Sequence, residues 1–213
     1  MTDAEIAEFK RTLARYVPAG SEHPIFEFMD RNRVRLHITR QRKSKLGDYR
    51  WPQPCHPGHE ISVNGNLNPY FFLMVLLHEM AHLNTYQRHG SEVQPHGREW
   101  QEEYSELLTE YLGYFPQEVA AMIGEYASRL PLSHALGRRI ELQMKQYNAE
   151  ASDTCILILD ELQPGEMFCL VATPQRRFKA VAKRRTRWMC IGLDDGQQYL
   201  VQGTAEVKRI SRN

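Results

Sequence analysis

Apolar residues recur at helical spacing through the first two thirds of the chain and at alternate positions through the last third, so the pattern predicts helices first and strands later. Ile6, Phe9, Leu13 and Tyr16 share one face of a first helix that Pro18-Ala19-Gly20 terminates, and a second short helix is predicted over 23–29. Val34, Leu36 and Ile38 alternate with Arg33, Arg35, His37 and Thr39 as in a half-buried strand, and Ile61 with Val63 repeats the pattern after a proline-rich loop. Tyr70 to Leu77 is apolar on all sides. It follows Asn68-Pro69, an amide N-cap with proline at the first helical position, and so predicts a helix in the centre of a domain.

Gly90 offers that helix a stop, and 91–95 reads as a connecting loop. Trp100, Tyr104, Leu107, Leu108 and Tyr111 then mark an amphipathic helix. Further helices are predicted from Pro116-Gln117-Glu118 to about Ala127 and over 131–147. The small polar stretch 148–153 places a boundary between a domain of residues 1–149 and a module of residues 150–213. Strands are predicted there at 155–159, 167–171, 178–182, 188–193, 199–201 and 207–210, with turns at Pro164-Gly165 and Asp194-Asp195-Gly196. The fold class is α+β: helices with a small antiparallel sheet, then a small all-β module.

The buried helix carries the chemistry. His78-Glu79-Met80-Ala81-His82 sets two imidazoles four residues apart, on one face of a helix, with a carboxylate beside the first. One metal ion can bridge both rings while Glu79 reaches a water on it. Burying these groups without a partner is costly, and a metal supplies one. A catalytic zinc takes three protein ligands and leaves a fourth position open. His89, two turns past His82, is too far along the axis; His96, which opens the next helix, can be returned to the ion, with Glu99 as the alternative.

His78-Glu79-Met80-Ala81-His82-Leu83, a loop, and Pro95-His96-Gly97-Arg98-Glu99-Trp100 together resemble the SprT-like family of zinc metallopeptidases, whose animal members include a DNA-dependent protease. Ser44-Lys45-Leu46-Gly47-Asp48-Tyr49-Arg50 and Ile61-Ser62-Val63-Asn64 fall where that family has a short hairpin, and the likeness spans about the first 115 residues. The resemblance implies a minimal zincin-like domain with one zinc per chain on His78, His82 and His96, and Glu79 as the catalytic base. The family often adds a zinc ribbon with two Cys-x-x-Cys knuckles, and here the chain departs from it. Cys169-Leu170-Val171-Ala172 and Cys190-Ile191-Gly192-Leu193 each hold one cysteine, so the expectation is a degenerate or replaced ribbon built on an apolar core.

Composition narrows the setting. Cys55, Cys155, Cys169 and Cys190 are scattered, as in reduced thiols rather than a disulfide framework, and the start Met1-Thr2-Asp3-Ala4-Glu5 has no secretory pattern. The longest apolar run is far short of the ~20 residues of a membrane span, so a cytoplasmic protein without a membrane partner is expected.

With 27 basic and 26 acidic side chains the chain is nearly neutral, which argues against bulk affinity for nucleic acid, but the charges are segregated. Arg31, Arg33, Arg35, Arg40, Arg42, Lys43, Lys45 and Arg50 crowd one segment. Arg176 to Arg187 carries seven cations and no acid, interleaved with Phe178 and preceding Trp188, aromatics able to stack on bases if exposed. Arg184, Arg185 and Arg187 are the candidate nucleic-acid contacts. The expected activity is peptide hydrolysis by a zinc-activated water with Glu79 as general base, on protein substrates that include DNA-associated ones. The competing classes are a nucleic-acid-binding protein with a structural zinc, and a zinc hydrolase of non-peptide substrates.

Overall fold

The computed structural model describes residues 2–42, 44–54, 57–145, 147 and 156–210. Lys43, Cys55, Cys155 and the predicted boundary stretch 148–153 lie outside the described residues. The chain divides into two compact units, Met1–Ser133 and His134–Asn213. The last predicted helix therefore groups with the strands that follow it.

In the first unit α1 (Asp3–Leu13) starts on a capping box in which Thr2 and Glu5 satisfy each other's backbone N–H groups, and α2 (Glu22–Arg31) follows. β1 (Val34–Thr39), β2 (Gly47–Arg50) and β3 (His59–Asn64) form a sheet in the order β1-β3-β2. The α+β class holds, but this sheet is mixed rather than antiparallel: β1 runs parallel to β3, and only β2 is antiparallel to it. The reason lies in burial. Ile61 and Val63 are fully buried, so β3 takes the centre and the polar, charged β1 and β2 take its two edges.

α3 (Pro69–His89) is capped as its sequence predicts, with the Asn68 side chain accepting from the Phe71 N–H at 3.0 Å and Gly90 ending it at a positive φ of 74°. Its residues Phe72, Leu73, Leu76, Leu77, Met80, Ala81 and Leu83 are wholly buried. α4 (Arg98–Glu110) packs on it through Trp100, Tyr104, Leu107 and Leu108, and Arg88 of α3 clamps the buried Glu103 of α4 at 2.7 Å. α5 (Gln117–Ala127) completes the unit.

The second unit opens with α6 (His134–Lys145), followed by β4 (Leu157–Ile158), β5 (Met167–Leu170), β6 (Thr173–Lys183), β7 (Arg187–Gly192), β8 (Gln198–Gln202) and β9 (Glu206–Ile210). The six strands pair antiparallel in the order β4-β9-β5-β6-β7-β8. Among the described residues of the predicted strand at 155–159, Leu157 and Ile158 form β4 and Leu159 starts a 3-10 helix (Leu159–Glu161), while β6 runs longer than predicted. Leu159, Leu162, Phe168, Phe178, Ala180, Trp188, Cys190 and Val207 form the core.

Phe178 and Trp188 are thus interior residues, 3 % and 4 % exposed, so the exposure that stacking on bases requires is not met and they serve as core. Phe178 stacks on Phe168, and the Trp188 indole N–H donates to Asp160 at 2.7 Å. Period-two alternation put both on the inward face of their strands, and the flanking arginines take the outer one.

Candidate metal centre

The centre forms where α3 meets the turn that leads into α4. His78 and His82 lie one turn apart on α3, and His96 comes from the turn just before α4. Among the described residues they are the one group of three able to share an ion, their ligand atoms all within 4.8 Å of one another. The Nε2 atoms form a near-equilateral triangle, His78 to His82 at 3.3 Å and His96 to each of the others at 3.1 Å. Four-coordinate zinc with Zn–N bonds of about 2.0–2.1 Å wants nitrogens about 3.3–3.4 Å apart, so the donor set fits one ion. Glu99, the alternative ligand, is not part of the group.

The geometry of His96 is built into its turn. Its φ is 58°, a left-handed conformation that a non-glycine residue adopts at a cost of order 1–3 kcal/mol. The turn is locked by the Gly97 N–H on Gln94 O at 2.9 Å and by Gln101 Nε2 on His96 O at 3.0 Å. A Cβ on Gly97 would sit 2.8 Å from that same Gln94 oxygen, so glycine is required for the turn to close. Trp100, 5 % exposed, lies 4.6–5.4 Å from all three imidazole rings and forms the floor beneath them. The sequence placed Trp100 on the inward face of its helix, but nothing in the periodicity tied it to the histidines.

Burial sets the charge states. It pushes His78 down to about 3, with His82 and His96 adding to the effect, and His82 down to about 4, with His96 adding again. Both rings are therefore neutral at neutral pH, which is the form that binds a metal. Glu79 moves the other way. Burial, helped by Asp48, pushes it up to about 8, against the pull of Arg42, Lys45 and the Tyr49 backbone N–H. A carboxyl that exchanges its proton near neutral pH is suited to general-base work.

Glu79 is held by β2. The Tyr49 N–H donates to its carboxylate, and Gly47 lies so close that any Cβ there would collide with Glu79 Oε1 and Cδ. In the sequence Gly47 stands out only as part of the segment Ser44 to Arg50. What it does depends on a strand and a helix that are distant in sequence, and no local pattern reveals that.

A cleft of about 470 Å³ opens over the centre. Lys45, Gly47, Asp48, Tyr49 and Trp51 line one side, and residues of the 90–96 loop line the other. Trp51 stacks on Tyr86 at 6.0 Å, and Tyr49 meets Tyr86 edge-on, which gives one wall an aromatic face. Tyr86, Arg98 and Tyr104 carry donors near the centre in sequence, and of these Tyr86 lines the cleft. Arg98 is exposed and paired with Glu102, and the Tyr104 hydroxyl, buried, reaches Met74 O at 3.4 Å.

The two basic segments fare differently. Arg42 is spent on Asn64 and Ser62, while Lys45 and Arg50 both pair with Asp48, so much of the cluster at 31–50 braces the sheet. In the second unit Arg176 and Arg177 pair with Asp195 and Asp194, and Lys183 with Asp160. Arg184, Arg185 and Arg187, at the tip of the β6–β7 hairpin, are exposed and have no carboxylate partner among the described residues. Cys190 is sealed in the apolar core, where burial pushes its thiol up to about 11, and Cys169 is half-buried.

Residues 17–120 match the SprT-like family, which bears out the resemblance carried by the two histidine motifs. The match covers the first sheet, α3, the 90–96 loop and α4, and so contains every group of the centre. Neither the curated proteins nor the solved structures gave a match. No helix among the described residues is long and apolar enough to cross a membrane.

Proposed function

We propose that this chain is a zinc-dependent endopeptidase in which His78, His82 and His96 hold one zinc ion and Glu79 is the general base. The observation that carries the reading is the Nε2 triangle with a buried carboxyl one residue along from its first member. When bound, the zinc supplies Lewis acidity, polarising a water and the scissile carbonyl. Glu79 takes the proton from the attacking water and delivers it to the leaving amine. A site built only to hold a structural zinc gains nothing from burying that carboxyl, and its burial costs stability.

The substrate is an extended peptide. β2 is an outer strand of its sheet, and its pairing with β3 turns the backbone groups of Gly47 and Tyr49 outward, beside the centre, where the Tyr49 N–H is taken by Glu79 and the Gly47 N–H and the two carbonyls face a peptide. A peptide laid along that edge is held by main-chain bonds and so is accepted with many sequences, while the Trp51–Tyr86 wall favours an apolar side chain next to the cleaved bond. Tyr86, which lines the cleft, is the candidate donor to the developing oxyanion.

Nucleic acid is the second partner, bound through Arg184, Arg185 and Arg187, whose charges no carboxylate among the described residues neutralises. Incubating the zinc-loaded chain with a disordered protein, with and without single-stranded DNA, tests the whole reading. Cleavage that DNA stimulates supports both partners. Cleavage indifferent to DNA removes the second, and DNA binding without cleavage leaves the structural-zinc reading.

A further inference from the structure

The second unit has two sheet edges, and they are unlike. β4 is two residues long and continues directly into a 3-10 helix, which is how proteins keep an edge from recruiting another strand. β8, at the other edge, has no such protection. Its five residues, Gln198-Tyr199-Leu200-Val201-Gln202, contain no charge and no proline, and Leu200 at the middle is 53 % exposed. The register with β7 assigns its backbone. Gly192 N–H bonds Gln197 O and Gly203 N–H bonds Thr186 O, so Tyr199 and Val201 bond inward to Cys190 and Trp188. Gln198, Leu200 and Gln202 turn their backbone groups outward, and among the described residues the Gln202 carbonyl alone of these is used, by Ala205 N–H.

We propose that β8 pairs antiparallel with β8 of a second copy of this chain, with Leu200 on the two-fold axis. The strand is its own complement in that register. Leu200 exchanges both backbone bonds with Leu200 of the second copy, and Gln198 faces Gln202, so no like charges are opposed. On the outer face Leu200 sits beside Met189 of β7, and pairing makes Met189, Leu200 and their copies one apolar stripe across the seam. Tyr199 and Val201 stay packed on the core of their own unit.

Charge also selects a second copy over an acidic peptide. Among the described residues, the cations nearest β8 without a carboxylate partner are Arg187 and Lys179. Arg187 lies one strand in from Gln202, and Lys179 lies two strands in from Gln198. No cation stands on β8 itself to meet an acid on an added strand. In the dimer Arg187 is three strand spacings, roughly 14 Å, from Ile191 of the second copy, with Lys179 a strand beyond it, outside the ~8–10 Å screening length. The seam therefore carries no repulsion.

Sedimentation of the full chain over a concentration series tests this. Wild type is expected to move from its 24.9 kDa monomer to about twice that mass as concentration rises. Leu200→Lys and Leu200→Glu should each stay monomeric while keeping the wild-type circular dichroism spectrum, since Leu200 is exposed. An equimolar mixture of the two should recover the doubled mass, because Lys then faces Glu across the axis. A wild type that stays monomeric throughout, or a dimer that survives both substitutions, would overturn the proposal; so would a mixture that fails to reassociate.

Discussion

Both units bury side chains that metals bind, and they bury them in opposite company. In the first, His78 and His82 are pressed against His96 and stand beside a carboxyl, so each depressed imidazole has partners that share its need for a cation. In the second, Cys190 is surrounded by Phe168, Phe178, Trp188 and Leu159, and its thiol behaves as a small apolar filler. The difference separates a residue type able to bind a metal from a constellation built to do so. The same contrast holds for the arginines. Those at 42 and 50 are tied into the first sheet, and those at 184, 185 and 187 stand out on a hairpin tip with their charge unspent.

The largest effect is expected from breaking the triangle. His96→Ala removes one of three ligands and should reduce zinc from one ion per chain to near zero on metal analysis of the purified protein, whereas Cys190→Ala leaves zinc content unchanged. Zinc lost with the cysteine instead would reverse the roles assigned to the two units.

Gly47→Ala comes next. The added methyl meets Glu79, so cleavage of a disordered substrate should fall by about tenfold or more, the scale on which small displacements of a catalytic group act, while zinc is retained. Unchanged cleavage would mean that β2 does not set the position of Glu79.

On the second unit, replacing Arg184, Arg185 and Arg187 together with Gln should weaken DNA binding similarly for all sequences. It should also reduce the slope of log affinity against log salt by about three, near one unit for each phosphate contact. Replacing Arg42 should not change that slope, because its guanidinium is already held by Asn64 and Ser62.

A smaller effect concerns the metal-free protein. Unfolding lets His78 and His82 bind protons below about pH 6.5, so stability falls as pH drops from there towards 4. Unfolding also lets Glu79 shed its proton above its ordinary value of 4.5, so its contribution falls as pH rises towards 8. Two histidines outweigh one carboxyl below pH 6.5, and above it Glu79 acts alone, at up to about 1.4 kcal/mol per pH unit. Thermal melting after chelation should therefore show the centre's stabilisation greatest near pH 6.5. A decline between pH 6.5 and 8 should be present in wild type and absent in Glu79→Gln.

Much of this was legible in the residues because it is local. Asn68-Pro69 and Gly90 bracket α3 by capping chemistry, i,i+4 spacing puts His78 and His82 on one face, and period-two alternation marks β7. What escaped is what depends on distant segments meeting. β3 takes the buried centre of its sheet with β1 parallel to it, an arrangement of strands that no single strand records. The same is true of Gly47 against Glu79, Trp100 beneath three imidazoles and the pairing of Arg42, each a contact between elements far apart in the chain. His96 lies between these cases. Its place before a helix was readable, and the left-handed turn that aims it was not.

The central claim is that Glu79 moves the proton in a zinc-supported peptide hydrolysis, and the most direct measurement compares wild type with Glu79→Gln at matched zinc content on a disordered protein substrate. The account predicts equal zinc in the two proteins and cleavage at least about 100-fold slower in the variant. Cleavage by the variant at the wild-type rate, or no cleavage by a fully zinc-loaded wild type with or without DNA, would contradict it.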